Sequence, residues 1–333
     1  MKALIIQSAF LGDAILSLSL AEELRRLMPG ARICYLVRPE VAPVLDCSPA
    51  VDEVFSYDKY GSESGLSGIR HKADELNTEG FDVVFTLHSS KRTRMLLQRL
   101  QAPQKIGYGD LEELTHPAVE LQEPQTAKAV RLLLPLFPAA DVRTLPKLVP
   151  KENTFASEIS ALPRPIVTLA TDSVWKTKQW GYEKFSALIE LLKSERISII
   201  LTGINKSPLL EQVSNSLESN VLDLTAKTDL HGLISIISTS DLLVSNDSAP
   251  VHIATATRTK SVVIFGPTVP EFGFAPPPEL GLVVQDEGLW CRPCASHGSN
   301  ECPIHTHECM TSISPARVME SIRTSLGVAA AGA

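Results

Sequence analysis

The chain alternates short apolar runs with longer amphipathic segments, and this alternation continues along most of its length. Apolar runs of about four to eight residues are typical of buried strands. Segments with apolar residues at three- and four-residue spacing are typical of helices that cover a sheet. Strands and helices in alternation predict parallel sheets with helices on both faces. The predicted fold class is therefore α/β.

Four apolar runs in the first half of the chain predict strands, at residues 4–6, 32–37, 51–57 and 81–87. The clearest helical pattern runs from about Asp13 to Met28, where Pro29 and Gly30 stop it. Strand, helix and strand at this spacing form the repeating unit of a doubly wound sheet.

The same pattern restarts after a proline-rich stretch at residues 138–165. Further strands are predicted at 166–169, 197–201, 221–224, 242–244 and 262–265. Helices are predicted near 152–160, 182–193, 208–217, 230–238, 250–257 and 315–326. The prolines mark a connection between domains. We therefore predict two doubly wound domains, at residues 1–150 and 151–333.

Composition excludes several classes of protein. The chain has 333 residues, which fits two ordinary domains, and a formal net charge of −7 without a polybasic run. Binding to nucleic acid is therefore not expected. No apolar stretch reaches the roughly 18 residues that span a bilayer, and residues 1–20 lack the apolar core of a signal peptide. We expect a cytoplasmic protein whose six cysteines are mostly reduced or metal-bound.

Several common catalytic motifs are missing from the sequence. There is no P-loop, and the G-x-G at Gly107 and Gly109 lacks the third glycine of a dinucleotide fingerprint. A hydrolase G-x-S-x-G is also missing, and no two aspartates form a D-x-D. If the protein handles a nucleotide sugar, side-chain cations and helix ends are expected to offset the phosphate charge.

Ligands of doubly wound sheets bind beyond the carboxyl ends of the strands, so the loops after the strands are the candidate sites. Gly12 and Asp13 follow the first predicted strand. Gly12 allows close approach of a ligand to the backbone, and Asp13 places a carboxylate at the edge of the sheet. Asp13 is either a helix cap or a general base, and the two roles are compatible because a cap keeps the carboxylate ionised.

A second candidate loop follows the first strand of the second domain. It gathers cations and hydroxyl groups beside a predicted helix N-terminus, at Thr171, Ser173, Lys176, Thr177 and Lys178. This is the chemistry that binds an anionic phosphate. The alternative is a solvated basic loop that packs through its two tryptophans.

A third candidate loop joins a buried strand to a short helix and contains Asn246, Asp247, Ser248 and His252. These residues make a well-capped helix, whose free N–H groups also suit a pyrophosphate. The turn at residues 266–268 follows the next strand and lies on the same edge of the sheet.

Four cysteines lie within a loop at residues 290–310: Cys291, Cys294, Cys302 and Cys309. The first pair has the spacing of a zinc or iron–sulfur site, whereas the second pair is wider than usual. A structural zinc ion or iron–sulfur cluster is one prediction. Reduced thiols, or a disulfide formed on handling, are the alternative.

Basic residues follow the strand at 81–87, and they include Arg92 just after the loop that contains Ser89. Side chains of this group that face the sheet edge are placed to steer an acidic acceptor.

Four of these segments together resemble the heptosyltransferase family, the ADP-heptose:lipopolysaccharide glycosyltransferases of Gram-negative bacteria. Residues 11–13 are similar to its L-G-D signature, and residues 173–180 to its S-V-W-x-T-K-x-W segment. Residues 246–252 and 265–268 are similar to its N-D-S-G-P-x-H and F-G-P-T pair. The resemblance implies a GT-B fold, with two Rossmann-like domains that face each other across a cleft.

The resemblance also implies an activity: inverting transfer of heptose from ADP-heptose to the lipid A-linked inner-core oligosaccharide of lipopolysaccharide. Asp13 would be the general base and Lys178 would stabilise the departing ADP, with no cofactor required. The protein would act at the inner face of the inner membrane, with peripheral contact. The implied donor-binding residues are Thr171, Ser173, Lys176, Thr177, Thr228, Asn246, Asp247, Ser248 and His252. The implied acceptor-binding residues are Gly12, Ser89 and Arg92.

Residues 203–206 lack the acidic residue that often meets the donor ribose in this family, and Ala249 replaces the usual glycine. Alternatives therefore remain: a GT-B enzyme with another nucleotide-sugar donor, a nucleotide-sugar epimerase, or a family member that has lost catalysis and serves as a binding module.

Overall fold

The computed structural model divides the chain into two compact units, Met1–Val149 and Pro150–Ala333. It describes residues 1–88, 90–109, 112–118, 120–151, 154–207 and 220–328. The helix predicted at 208–217 lies outside the described residues. Each unit is built around one six-stranded parallel sheet.

The strands of the first sheet lie in the order β3-β2-β1-β4-β5-β6. They are β1 (Lys2–Ile6), β2 (Arg32–Val37), β3 (Glu53–Ser56), β4 (Val83–Thr86), β5 (Gln104–Tyr108) and β6 (His116–Ala118). The helices of this unit are Leu11–Leu27, Ala42–Leu45, Gly65–Asn77, Lys91–Leu97 and Gln125–Arg131. Strands β1 and β4 are neighbours although β2 and β3 separate them along the chain, so the strand order reverses between them.

The second sheet has the order β12-β11-β10-β7-β8-β9. Its strands are β7 (Ile166–Ala170), β8 (Ser198–Thr202), β9 (Val221–Asp223), β10 (Leu242–Asn246), β11 (Lys260–Phe265) and β12 (Gly281–Gln285). Its helices are Ala156–Ser160, Tyr182–Ser194, Leu230–Thr239, Ala249–Thr257, Glu308–Thr311 and Pro315–Leu326. The order is that of the first sheet, and it reverses between β7 and β10. Both sheets have the Rossmann strand order.

Burial explains why these segments form parallel sheets. Strands β7, β8 and β10 are buried at every position, as expected when helices cover both faces of a sheet. On one face of the second sheet, strand residues pack against the helices Tyr182–Ser194 and Pro315–Leu326. The predicted α/β fold with two Rossmann-like domains is confirmed.

The sequence missed three strands, β5, β6 and β12. In β5, polar Gln104 and Lys105 interrupt the apolar run, and β6 has only three residues. Strand β12 pairs with β11 alone among the described strands and begins with a glycine. Such strands carry weak apolar patterns because they are short or less buried.

No helix within the described residues has the length and apolar character needed to cross a membrane.

Candidate functional site

The predicted site residues lie where each sheet reverses its strand order. In the first unit, Asp13 follows β1 and Arg92 follows β4. In the second unit, Lys178 follows β7 and Asp247 follows β10. Because neighbouring loops diverge at such a point, a crevice opens beyond the carboxyl ends of the two strands. Each unit therefore carries its polar residues at the position where an open α/β sheet binds ligands.

Asp13 lies in the first turn of the helix Leu11–Leu27 and is half-buried. The Phe10 backbone N–H donates to Asp13 Oδ2 at 3.3 Å. This bond satisfies one of the N–H groups that a helix start leaves unpaired. The predicted capping role of Asp13 is confirmed, and its role as a base remains a prediction.

A cavity of about 230 Å³ opens beside Asp13 in the first unit. The Tyr108 hydroxyl on its wall donates to the Lys128 carbonyl at 2.6 Å, and the Lys128 ammonium pairs with Glu120 at 3.1 Å. Burial raises the pKa of Tyr108, so its hydroxyl stays protonated. The lining is mostly polar: Gln7, Ala9, Asp13, Leu16, Ser17, Leu87, His88, Tyr108, Glu120, Gln125 and Lys128. Such a wall suits a ligand rich in hydroxyl groups.

The other predicted acceptor residues fall into three cases. Gly12 precedes Asp13 in the same helix turn and is half-buried. Arg92 lies in the helix Lys91–Leu97, and its Nη1 is buried without a hydrogen-bond partner among the described residues. Ser89 lies outside the described residues.

Lys178 and Asp247 form a buried ion pair in the second unit. Lys178 Nζ lies 2.6 Å from Asp247 Oδ2, and the two side chains are only 11% and 5% exposed. The Thr268 hydroxyl donates to the same oxygen at 2.6 Å. The loops after β7, β10 and β11 therefore meet at one carboxylate oxygen. The Asp247 carboxylate holds the ammonium of Lys178, and its predicted contact with the donor stays a prediction.

Asn246 links the loop after β7 to strand β10 from the other side. Its Nδ2 donates to the Thr171 carbonyl at 3.0 Å, and its Oδ1 accepts the Trp180 backbone N–H at 3.0 Å. The Trp180 indole in turn donates to the Ile313 carbonyl at 3.0 Å. Asn246 is thus a structural residue of the site, which fixes both ends of the loop that carries Lys178.

His252 lies on the first turns of the helix Ala249–Thr257 and is 5% exposed. Burial lowers the pKa of His252 to about 4, against an opposing effect of Asp247. The imidazole is therefore neutral at physiological pH. Ser248 is the N-cap residue of this helix, but its hydroxyl donates to the Asn246 carbonyl at 3.2 Å and does not cap the helix N–H groups. The backbone N–H groups at the start of this helix therefore do not donate to the Ser248 hydroxyl.

The remaining predicted donor residues lie in loops of the second unit. Ser173 Oγ accepts the Trp175 backbone N–H at 3.3 Å, which shapes the loop. Lys176 is exposed and lies in a single 3₁₀ turn, residues Lys176–Lys178, instead of beside a helix start. Thr228 is half-buried, next to Asp229, which caps the helix Leu230–Thr239.

Asp172 was missed by the sequence analysis, although it lies two residues after the end of β7. Its carboxylate accepts the Tyr182 hydroxyl at 2.7 Å and the Asn205 backbone N–H at 2.8 Å. It therefore places an acidic group beside residues 203–206, the segment in which the sequence lacks one. The only signal for it was its position after a buried strand.

The predicted metal site has no support in the part of the chain that the structure describes, and it stays a prediction. No group of three or more His, Cys, Asp or Glu side chains there is arranged to hold a metal ion. Cys309 packs into the apolar core, where burial raises its pKa to about 11, whereas Cys294 is exposed. Spacing along the chain could not reveal that the fourth thiol points into the core.

Residues of the cysteine loop form hydrogen bonds to the site loops that follow β7 and β11. The Arg292 guanidinium donates to the carbonyls of Gly266 and Thr268, the second at 2.8 Å. The Thr177 hydroxyl donates to the Ser299 carbonyl at 2.9 Å, and the His307 ring bonds the Thr177 carbonyl at 2.7 Å. Both loops that meet at Asp247 are therefore fastened to residues 292–307. No pattern in the sequence indicates these contacts.

Comparison with known proteins identifies the class. Residues 69–305, more than half of the chain, match the model of glycosyltransferase family 9 (heptosyltransferase). The chain is 24% identical over 301 residues to lipooligosaccharide heptosyltransferase 2 of Haemophilus influenzae. The alignment covers 82% of this chain and 85% of that protein. These matches define the protein as a glycosyltransferase.

Two solved structures share the fold. The family 9 glycosyltransferase of Veillonella parvula superposes with a TM-score of 0.81 at 21% identity, covering 98% of this chain and 97% of that one. Escherichia coli ADP-heptose lipopolysaccharide heptosyltransferase II superposes with a TM-score of 0.77 at 20% identity, covering 98% of both chains. The chain belongs to glycosyltransferase family 9, the heptosyltransferases.

Proposed function

We propose that this protein transfers heptose from ADP-heptose to a sugar hydroxyl of the lipopolysaccharide inner core, with inversion at the anomeric carbon. Relatives named as lipooligosaccharide and lipopolysaccharide heptosyltransferases support the substrates. The single observation that carries the mechanism is what each sheet presents at its switch point, the place where its strand order reverses. The first unit presents a carboxylate beside a polar cavity, and the second unit presents a fixed buried cation.

On the acceptor side, Asp13 is the proposed general base. The acceptor hydroxyl enters the cavity and gives its proton to the Asp13 carboxylate as its oxygen attacks the anomeric carbon. The bond between that carbon and the ADP oxygen breaks in the same step, and ADP leaves with the electron pair. A single displacement inverts the configuration, and it requires no covalent intermediate on the protein.

On the donor side, Lys178 is the proposed group that faces the charge developing on ADP. A cation fixed in a water-poor site stabilises such charge more strongly than one in solvent, since it needs no rearrangement during the reaction. The N-terminal N–H groups of the helix Ala249–Thr257 would add their partial positive charge to the pyrophosphate. Neutral His252 contributes no charge of its own. Asp172 is the proposed partner of the ribose hydroxyls.

The acceptor is anchored in a membrane, whereas no described helix could span one. We propose that the enzyme meets this acceptor at the cytoplasmic face of the inner membrane through peripheral contact.

Nucleotide binding tests the donor half of the proposal. Calorimetry with ADP, UDP and NAD on the wild-type protein should show selective binding of ADP. Lys178→Ala should weaken it by about tenfold or more, since a charge-assisted hydrogen bond is lost. Lys260→Ala is the matched control, because Lys260 is exposed at the amino end of β11, on the opposite edge of the same sheet.

Each other outcome has a definite meaning. Binding of UDP without ADP would replace the donor and leave a transferase or an epimerase to be distinguished by product analysis. Failure of all three nucleotides to bind would favour a non-catalytic module. An equal loss in Lys260→Ala would show that net charge, and not Lys178, controls binding.

A further inference from the structure

Lys184 bonds three backbone carbonyls of a segment far along the chain. Its ammonium donates at 2.6 to 2.7 Å to the carbonyls of Met310, Thr311 and Ile313. Residues 310–313 lie at the end of the cysteine loop and contain the last residues of the helix Glu308–Thr311. The last carbonyls of a helix have no partner within it, and a lysine side chain can bond to them. Lys184 therefore fixes the end of the cysteine loop.

The three contacts require the charged form of Lys184. An ammonium has three N–H groups, one for each carbonyl, whereas a neutral amine has only two. Burial lowers the pKa of Lys184, and the carbonyl oxygens stabilise the cation against this effect. The ammonium also lies 5.8 Å from the centroid of the Trp180 ring, within the range of a cation–π contact.

The position of Lys184 along the chain is unfavourable for a cation. It lies in the first turn of the helix Tyr182–Ser194, where the helix dipole disfavours positive charge. Its contacts with residues 310–313 therefore explain this lysine better than its own helix does.

The Ile313 carbonyl connects Lys184 to the loop that carries Lys178. This carbonyl accepts both the Lys184 ammonium and the Trp180 indole N–H, the latter at 3.0 Å. The Trp180 backbone N–H donates to Asn246 Oδ1 at 3.0 Å. Because Trp180 lies two residues after Lys178, a shift of Ile313 would move the end of this loop.

Met310 connects Lys184 to the turn that bonds Asp247. Its side chain lies against Gly266, where an added Cβ would come within 2.9 Å of the Met310 Cγ, Sδ and Cε atoms. Gly266 begins the turn at residues 266–268, and the Thr268 hydroxyl donates to Asp247 Oδ2 at 2.6 Å. A shift of Met310 would therefore move this turn.

We propose that Lys184 is a positioning residue of the proposed donor site. Its ammonium gathers the carbonyls of residues 310–313 and so sets the geometry of the ion pair between Lys178 and Asp247, which these residues support from both sides. Carbonyl oxygens that converge on one point repel each other unless a cation lies between them. The inference rests on the proposed function, in which Lys178 faces the departing ADP.

Two variants separate the charge of Lys184 from its packing. Lys184→Met keeps a long side chain without the charge, whereas Lys184→Ala opens space at the three carbonyls. The full chain is labelled with ¹⁵N at tryptophan, and its indole N–H signals are followed by NMR. Trp180→Phe removes one signal and so assigns it. Calorimetry measures the affinity of each variant for ADP.

We expect Lys184→Met to shift the Trp180 signal and to weaken ADP binding by about threefold to tenfold, since Lys178 is displaced but not removed. Ammonium chloride should restore both properties in Lys184→Ala, because the free ion carries the same charge and N–H donors. Tetramethylammonium chloride at equal concentration should restore neither, since it has no N–H group.

Lys193→Met is the matched control. It makes the same substitution near the other end of the same helix, where Lys193 pairs with Glu190 at 3.5 Å. It should change neither the Trp180 signal nor the affinity for ADP.

Each other outcome decides the proposal. It is overturned by an unchanged Trp180 signal in Lys184→Met, by equal recovery with both salts, or by no recovery with ammonium. A shifted signal with unchanged ADP affinity would make Lys184 a structural residue only. Failure of the wild-type protein to bind ADP would contradict the proposed function, while the Trp180 signal would still show whether the ammonium sets the loop geometry.

Discussion

The two sheets share one strand order but hold their key side chains in different ways. Asp13 is half-buried, accepts a 3.3 Å bond from its own helix start, and borders a cavity. Lys178 is buried against Asp247. Its loop is fastened by Asn246 and by the cysteine loop. One switch point is open, and the other is locked.

The difference teaches what each proposed role requires. A general base must reach a proton on a substrate that enters and leaves, so its surroundings need space. A cation that faces a leaving group is most effective when its surroundings are fixed before the reaction. The same strand order therefore supports an accessible side chain in one unit and a rigidly held side chain in the other.

The largest expected effect comes from the open site. Asp13→Asn removes the basic group while leaving a side-chain oxygen to accept the Phe10 N–H. Transfer should fall by about 10² to 10⁴-fold, the range for loss of a general base. The free energy of unfolding should change little. Steady-state transfer and thermal melting measure the two properties.

Asp13→Ala sharpens this result, since it removes both base and cap. It should lose as much activity as Asp13→Asn and also some stability, about 1 kcal/mol. If Asp13→Asn retained full activity while Asp13→Ala lost it, Asp13 would be a cap only.

Substitutions at the buried Lys178–Asp247 pair should lower the free energy of unfolding. Asp247→Ala leaves the Lys178 ammonium buried without its partner and should lower the free energy of unfolding by about 3 kcal/mol. Denaturant unfolding of the full chain measures this. Thr268→Val, which removes one hydroxyl bond to the same carboxylate, is the comparison and should cost about 1 kcal/mol. Equal losses would contradict a dominant ion pair.

The effect that is smallest at neutral pH depends on the protonation of His252. Burial lowers the pKa of His252 from 6.5 to about 4. Between these values the unfolded chain binds a proton that the folded protein does not, so stability from neutral His252 is complete above about pH 6.5. It declines as the pH falls towards 4, by up to about 3 kcal/mol. His252→Asn should flatten this part of the stability curve, whereas His71→Gln, at an exposed position, should not.

Much of the fold could be predicted because burial leaves a clear pattern. Strands β2 and β7 are buried at nearly every position, so their apolar runs stand out in the sequence. The apolar runs of strands β5 and β12 do not stand out, because polar residues or glycine interrupt them. The predicted helix Pro315–Leu326 has the observed bounds because a serine cap and a terminal glycine frame it.

The site was predicted less completely, for a physical reason. Residues after strands could be named, as Lys178 and Asp247 were. Which of them bond to each other depends on which strands are neighbours, and the sequence does not state that order. Asp172 and Arg292 were missed because their partners lie far away along the chain. The spacing of the cysteines also could not show that the Cys309 side chain packs into the apolar core.

The bonds from residues 292–307 to the site loops have a practical consequence. A protease cut in this exposed, irregular loop would leave both sheets intact by circular dichroism, yet release Thr177 from Ser299 and His307. The cut protein would keep its secondary structure while losing the arrangement of the proposed donor site, so a fold measurement alone would be a poor test of its activity.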